Sequence, residues 1–197
     1  MGTTAWVVIA ILAALLLGAV LIYNRLVELR NRIANAFGQI DVQLKRRHDL
    51  VPNLVEVAKR YMAHEAETLQ AVIAARGQAQ GAAASARLRP ADAQALGALA
   101  AAEQGLMGSV GRLLAVAESY PELKADARMR ELAEEITSTE NRIGFARQAY
   151  NDAVLDFNNA VGVFPALILA RWFGFAPGAM LQATASEAER AAPRVAF

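Results

Sequence analysis

The first 24 residues carry no charged side chain, and Thr4 to Tyr23 reads TAWVVIAILAALLLGAVLIY. A helix of roughly 20 such residues spans roughly 30 Å, the thickness of a bilayer's hydrocarbon core. Trp6 and Tyr23 stand near its two ends, where amphipathic aromatics favour the water–lipid boundary, and Arg25 comes next at headgroup depth. A cleaved leader would carry a basic stretch ahead of a shorter apolar core, and Met1–Trp6 holds no Lys or Arg. No later segment offers enough apolar surface to enclose this run as a buried core helix. Residues 1–24 are therefore read as a retained transmembrane anchor. Arg25, Arg30 and Arg32 flank the span on its C-terminal side with only Glu28 against them, so the positive-inside rule predicts the N-terminus outside and the body in the cytoplasm. A periplasmic body is the alternative.

Beyond the anchor the chain reads as helix. Apolar residues make up 55% of the chain, and much of that share is Ala, the residue that loses least on entering a helix. The chain has no cysteine, which excludes disulfides, thiolate metal sites and a cysteine nucleophile. Charge is unevenly spread: Arg25–Arg89 holds 11 Lys+Arg against 6 Asp+Glu, and Pro90–Ala170 holds 6 against 11. Basic early helices packing beside acidic late ones, or copies associating head to tail, would both satisfy that polarity.

Leu26, Leu29, Ile33, Ala36, Ile40 and Leu44 recur at spacings of 3 and 4 with no breaker before them, so the anchor and the first body helix form one rod. The rod is expected to stop near His48–Val51, because Asp49 suits a helix cap and Pro52 a first turn. A second helix then runs from Pro52 to Arg76. Gly77–Arg89 (GQAQGAAASARLR) has little to bury and reads as a loop or frayed end. Pro90 opens a third helix with Leu96, Leu99, Leu106, Val110, Leu113 and Leu114 as its apolar positions, weakened by Gly97, Gly105, Gly108 and Gly111 at roughly 1 kcal/mol each. Ser119–Tyr120–Pro121 marks a turn. The fourth helix holds the clearest pattern: Met129, Leu132, Ile136, Thr139, Ile143, Ala146, Tyr150, Ala153, Phe157, Ala160 and Phe164 alternate by 3 and 4. Such a heptad seam indicates coiled-coil-like packing, ending before Pro165. Short turns between four helices give an all-α, antiparallel four-helix bundle over residues 25–176, with a C-terminal tail over 177–197. One length mismatch arises, since Arg25–Asp49 would span roughly 37 Å and Glu122–Phe164 roughly 64 Å.

Several stretches are similar to the LemA family of bacterial membrane-anchored proteins: YNRLVELRNRI, IDVQLKRRHDLVPNLVEVAKRYMAHEAETL, SYPELKAD, TSTENRIGFARQAYNDAVLDFNNAVGVFPALILARWFGF and the final PRVAF. The likeness covers nearly the whole chain apart from the Gly/Ala stretch. It departs at Gly178–Leu181, where Ala179, Met180 and Leu181 stand in place of aromatics. The resemblance implies a helical bundle on one span of the bacterial inner membrane. It brings no established enzymatic activity, and it points to a scaffold that organises or shapes the membrane.

The side chains offer little chemistry against that expectation. His64–Glu65 begins like a zinc HExxH motif, but Thr68 occupies the second ligand position. Neither His48 nor His64 follows a Glu by three residues, as a di-iron bundle needs; Lys45 and Tyr61 stand there. No nucleophile elbow or phosphate loop is present, so neither catalysis, nor a metal, nor a cofactor is expected. Lys45, Arg46 and Arg47 form a short basic cluster roughly 30 Å above the membrane, read as a solvated turn or a contact for a partner. It lacks the interleaved aromatics of a nucleic-acid surface. Val161–Phe175 (VGVFPALILARWFGF) is apolar but too short to span; it would reach the interface with Arg171 and Trp172 if the fourth helix returns to the bilayer, or else form a hydrophobic cap on the base of the bundle. Asn24, Asn141, Asn151, Asn158 and Asn159 are candidates for setting helix register. The leading expectation is a self-assembling, non-enzymatic membrane scaffold. An adaptor recruiting a membrane protein partner is second, and an oligomeric channel third.

Overall fold

In the computed structural model, residues 2–181 are described, and every regular element among them is a helix. Of the expected C-terminal tail over 177–197, residues 182–197 lie outside the described residues. The elements are α1 (Thr3–Tyr61), α2 (Ala66–Leu88), α3 (Ala93–Ala117), the short α4 (Pro121–Ala125), α5 (Ala127–Gly162) and α6 (Ala166–Trp172). The long helices alternate in direction. The chain climbs from the anchor along α1, descends through α2, climbs α3, turns at α4 and descends α5.

The rod is longer than its pattern suggested. α1 does not stop at His48–Val51 but runs 59 residues with Pro52 inside it. A proline there removes one backbone N–H and leaves the carbonyl four residues earlier without its helical donor. That carbonyl belongs to His48, and Arg76 on α2 supplies the missing donor, its Nε lying 2.6 Å from His48 O. A break written into the sequence is thus repaired from a neighbouring helix. The repair also removes the length mismatch: Arg25–Tyr61 rises roughly 55 Å and the 36 residues of α5 roughly 54 Å.

This repair makes a testable pair. Arg76→Ala should cost about 1–3 kcal/mol by stranding a partly buried carbonyl. In a Pro52→Ala background residue 52 regains its N–H, and the same Arg76→Ala change should cost less than half as much. Urea unfolding of the two single variants and the double variant measures the coupling. Purely additive effects would mean that the arginine does not serve the proline.

Gly77–Arg89 is not a loop: α2 continues to Leu88, burying Ala79, Ala83 and Ala86. Alanine satisfies both demands, favouring helix and letting α2 lie close beside α3. The third helix begins at Ala93 rather than Pro90, since Asp92 accepts from Ala95 N at 2.8 Å and so sets the cap. Close approach does not offset the α3 glycines, as a methyl group added at Gly97, Gly105, Gly108 or Gly111 would meet nothing within 4 Å.

Two apolar cores stack along the axis. The lower joins Leu26, Leu29, Ile33, Phe37, Ile40 and Leu44 of α1 to Leu96, Leu99, Ile143, Tyr150 and Phe157. The upper joins Val51, Leu54 and Val57 to Val72, Leu106, Val110, Leu113, Met129, Leu132 and Ile136. Phe37, absent from the expected α1 stripe, is 2% exposed and meets the Tyr150 ring edge-on at 6.2 Å between centroids. On α5, Leu132, Ile136, Ile143, Tyr150 and Phe157 face inward with Val154 and Val161. Phe164 does not belong to this seam: α5 ends at Gly162, and Phe164 is 79% exposed beyond it.

The upper end is closed by paired caps. Asp126 accepts from Arg128 N at 2.8 Å and Met129 N at 3.1 Å, starting α5, and also from the Tyr61 hydroxyl at 3.1 Å. These bonds, led by Met129 N–H, hold its carboxyl below the usual range. Tyr120 donates to Glu65 Oε1 at 3.2 Å and ties the α1–α2 turn to the α3–α4 turn.

Candidate functional sites: a buried polar layer and an apolar rim

Between the two cores lies a polar layer. Arg47, on α1, is 2% exposed, and its guanidinium reaches two further helices. Nη1 donates to Glu103 Oε2 on α3 at 3.1 Å, Nη2 donates to Glu140 on α5, and Nε donates to Thr139 Oγ1, also on α5, at 3.1 Å. Thr139 in turn donates to Ile136 O at 2.6 Å. His48, 3% exposed, places Nε2 at 2.6 Å from Glu103 Oε1. A carboxylate only accepts, so this nitrogen carries the proton. Glu103 is thereby held on both oxygens, one by Arg47 and one by His48.

The expected role of Arg47 is corrected by this arrangement. It is neither a solvated turn residue nor available to a partner; its charge is neutralised inside the bundle. Lys45 and Arg46 do face solvent, paired with Asp49 at 2.6 Å and Glu135 at 3.6 Å. His64 sits exposed in the α1–α2 turn. The pairs Arg47–Glu103, Arg47–Glu140 and Arg46–Glu135 join the basic early half to the acidic late half within one chain. No local pattern in the sequence signals the layer, because the partners that bond between helices are 55 to 93 residues apart.

The second feature is the lower end. α6 leaves α5 at a bend of 98°. Gly174, at φ +71°, closes α6 in the left-handed conformation that glycine adopts without strain, letting Phe175 N donate to Ala170 O at 2.8 Å. Residues 175–181 then climb the groove between α1 and α5. Asn158 exchanges two hydrogen bonds with the backbone of Gly178 at 2.9 and 2.8 Å. Asn151, two turns earlier, does the same with Leu181 at 2.8 and 2.9 Å. Ala179 N donates to Ala91 O at 3.0 Å, and the Tyr150 hydroxyl lies 2.7 Å from Pro90 O and 2.8 Å from Ala179 O. Gly178 passes so close to the α2–α3 turn that an added methyl would stand 3.3 Å from Ala91 Cβ. Asn151 and Asn158 therefore fasten a strap rather than set helix register, while Asn24, Asn141 and Asn159 are exposed. The strap is held through its backbone, so Ala179, Met180 and Leu181 serve where aromatics were expected.

At the foot of the bundle the Tyr23 ring meets Phe173 edge-on at 4.9 Å and Phe175 at 5.7 Å, and Arg30 lies over the Phe175 ring at 5.2 Å. Of the residues expected at the interface, Trp6 is 63% exposed on the anchor and Trp172 83% exposed on α6. Arg25 and Arg171 are exposed. The stretch of α1 up to Leu21 is apolar on all sides with no described side chain buried, and α1 is the one described helix apolar enough by itself to cross a membrane.

Comparison with known proteins accords with this anatomy. The model of the LemA family matches residues 36–197. Magnetosome protein MamQ of Magnetospirillum gryphiswaldense is 25% identical over 168 residues, covering 78% of this chain and 62% of the relative. Magnetosome protein MamQ 2 of Paramagnetospirillum magneticum is 27% identical over 183 residues, covering 85% of this chain and 66% of the relative. The chain thus spans just under two thirds of the length of these relatives. It belongs to the LemA family and is a membrane-associated helical protein.

Proposed function

We propose that this LemA-family chain is a non-enzymatic scaffold, which assembles side by side with its own copies and organises the membrane it sits in. The observation that carries this reading is α1. One helix of 59 residues passes from the lipid to the top of the bundle, without a linker. A recruiting adaptor gains reach from a flexible tether, whereas a scaffold needs its body fixed in angle relative to the bilayer. The ionisable groups best placed for chemistry are occupied structurally: Glu103 is held by Arg47 and His48, and Arg76 serves the Pro52 break.

The mass of the assembly in lipid nanodiscs and in detergent tests this. Defined oligomers that persist in lipid are expected, and a monomer in both media would sink the scaffold in favour of the adaptor. Ion flux through liposomes carrying such oligomers would instead favour the channel.

Arg25, Arg30 and Arg32, flanking the span on its C-terminal side, support a cytoplasmic body. The chain has no native cysteine, so a single Ala84→Cys on the exposed side of α2 reports topology cleanly. Membrane-impermeant maleimide should leave A84C unlabelled in intact cells and label it after permeabilisation. Ready labelling in intact cells would place the body outside.

A further inference from the structure

We propose that Val163–Phe173, with α6 at its centre, is a second membrane contact lying in the headgroup–acyl boundary of the same bilayer that α1 crosses. Three observations carry this. The first is position. α5 runs antiparallel alongside α1, and α6 turns 98° from it, so α6 lies across the direction of the span rather than along it. Its depth is set by Tyr23, the last aromatic of the uncharged run, whose ring packs on Phe173 at 4.9 Å.

The second is an inverted pattern of side-chain size. α6 turns Ala166 and Ala170 inward, while Ile168 and Trp172, also four residues apart, are 50% and 83% exposed. Phe164, one further step back, is 79% exposed. A water-facing helix of a bundle buries its large apolar residues and exposes its small ones. Here Ala166 and Ala170 seat the helix against the bundle with Leu167 and Leu169 half-buried, and Ile168 and Trp172 are left for an apolar medium.

The third is continuity. The rim abuts the exposed surface of the anchor, where Leu17 and Leu21 are each 61% exposed and lipid is the covering. Arg171 stands beside Trp172, offering a cation to lipid phosphates at the depth where indole rings settle. A chain fixed to the bilayer at both α1 and α6 cannot swing about its span.

The test uses the full chain in phosphatidylglycerol-containing liposomes. Trp6→Phe leaves Trp172 as the single tryptophan. Its fluorescence should be quenched by lipids brominated near the headgroup and shielded from aqueous iodide. The reference is Phe145→Trp in a chain also carrying W6F and Trp172→Phe, since Phe145 is 76% exposed halfway up α5. Lipid quenching of Trp172 several-fold above that reference is the expected result. Free iodide access without lipid quenching would overturn the proposal. Shielding from both quenchers would overturn it too, because a second copy and not lipid would then cover the rim. Lipid quenching of Trp172 is expected whether or not the protein assembles.

Discussion

Replacing Arg47 by alanine should destabilise the bundle by about 3–5 kcal/mol, the cost of removing one partner from a buried charge cluster. Three features place it in that range. Arg47 is 2% exposed, so its removal leaves a cavity that solvent does not readily fill. The side chain of Glu103, 12% exposed, would lose the charge balancing one of its oxygens while staying between the two cores. Thr139 would lose the donor to its hydroxyl. Glu140 adds less, because its side chain is 48% exposed and water can replace the arginine there. Urea unfolding of the detergent-solubilised full chain, followed by circular dichroism, measures the loss. Combining Arg47→Met with Glu103→Gln should recover much of it, since the stranded charge is then gone. A loss below about 1 kcal/mol for R47A would mean that the layer is wetter than its burial indicates.

The second large effect is expected at Tyr150, which links three segments distant in sequence. Its ring is fully buried against Phe37, and its hydroxyl joins the α2–α3 turn at Pro90 to the strap at Ala179. Tyr150→Ala should cost about 3–5 kcal/mol through the cavity it opens. Tyr150→Phe keeps the ring and should cost about 1–2 kcal/mol, by removing the one hydroxyl proton that the two carbonyls share. Alkali separates the roles further. Burial pushes the Tyr150 hydroxyl from its ordinary 10.0 up to about 12, so the folded state favours the protonated form. A raised folded value means that this contribution is complete below pH 10 and is lost as pH climbs from 10 towards 12. Tyr61 and Tyr120 are raised as well, Tyr61 chiefly by Asp126 and Tyr120 by burial and Glu65, so the reading is a difference. Stability measured across that range should fall more steeply for the native chain than for Y150F. Parallel curves would show that the hydroxyl is not sequestered.

Much of the molecule was legible in one dimension because its determinants are local. The uncharged run from Thr4 to Tyr23 specifies, by length and polarity alone, a helix able to cross a membrane. The spacing from Met129 to Phe157 sets which face of the last long helix turns inward, since a 3–4 repeat admits one conformation that buries it. Family membership is carried by long contiguous runs such as RRHDLVPNL and TENRIGFARQAYN.

Where sequence and structure differ, local signals are overruled by partners far along the chain. Asp49 and Pro52 read as a stop, and in isolation Pro52 would weaken the helix. Arg76 completes the His48 carbonyl from another helix, and α1 continues. Gly77–Arg89 read as loop because nothing in its own sequence needs burying, yet its alanines fit the space against α3. Arg47 read as a surface charge because its partners Glu103, Thr139 and Glu140 lie on other helices.

The sequence by itself therefore determined a membrane-length apolar helix, a helical class and an inward face, all properties of neighbouring residues. Only the tertiary structure decided where α1 ends, that a charged layer divides the core, and that the last short helix returns to the level of Tyr23. Those depend on which distant groups meet, and a buried charge or a broken helix is tolerated only where its complement is brought to it.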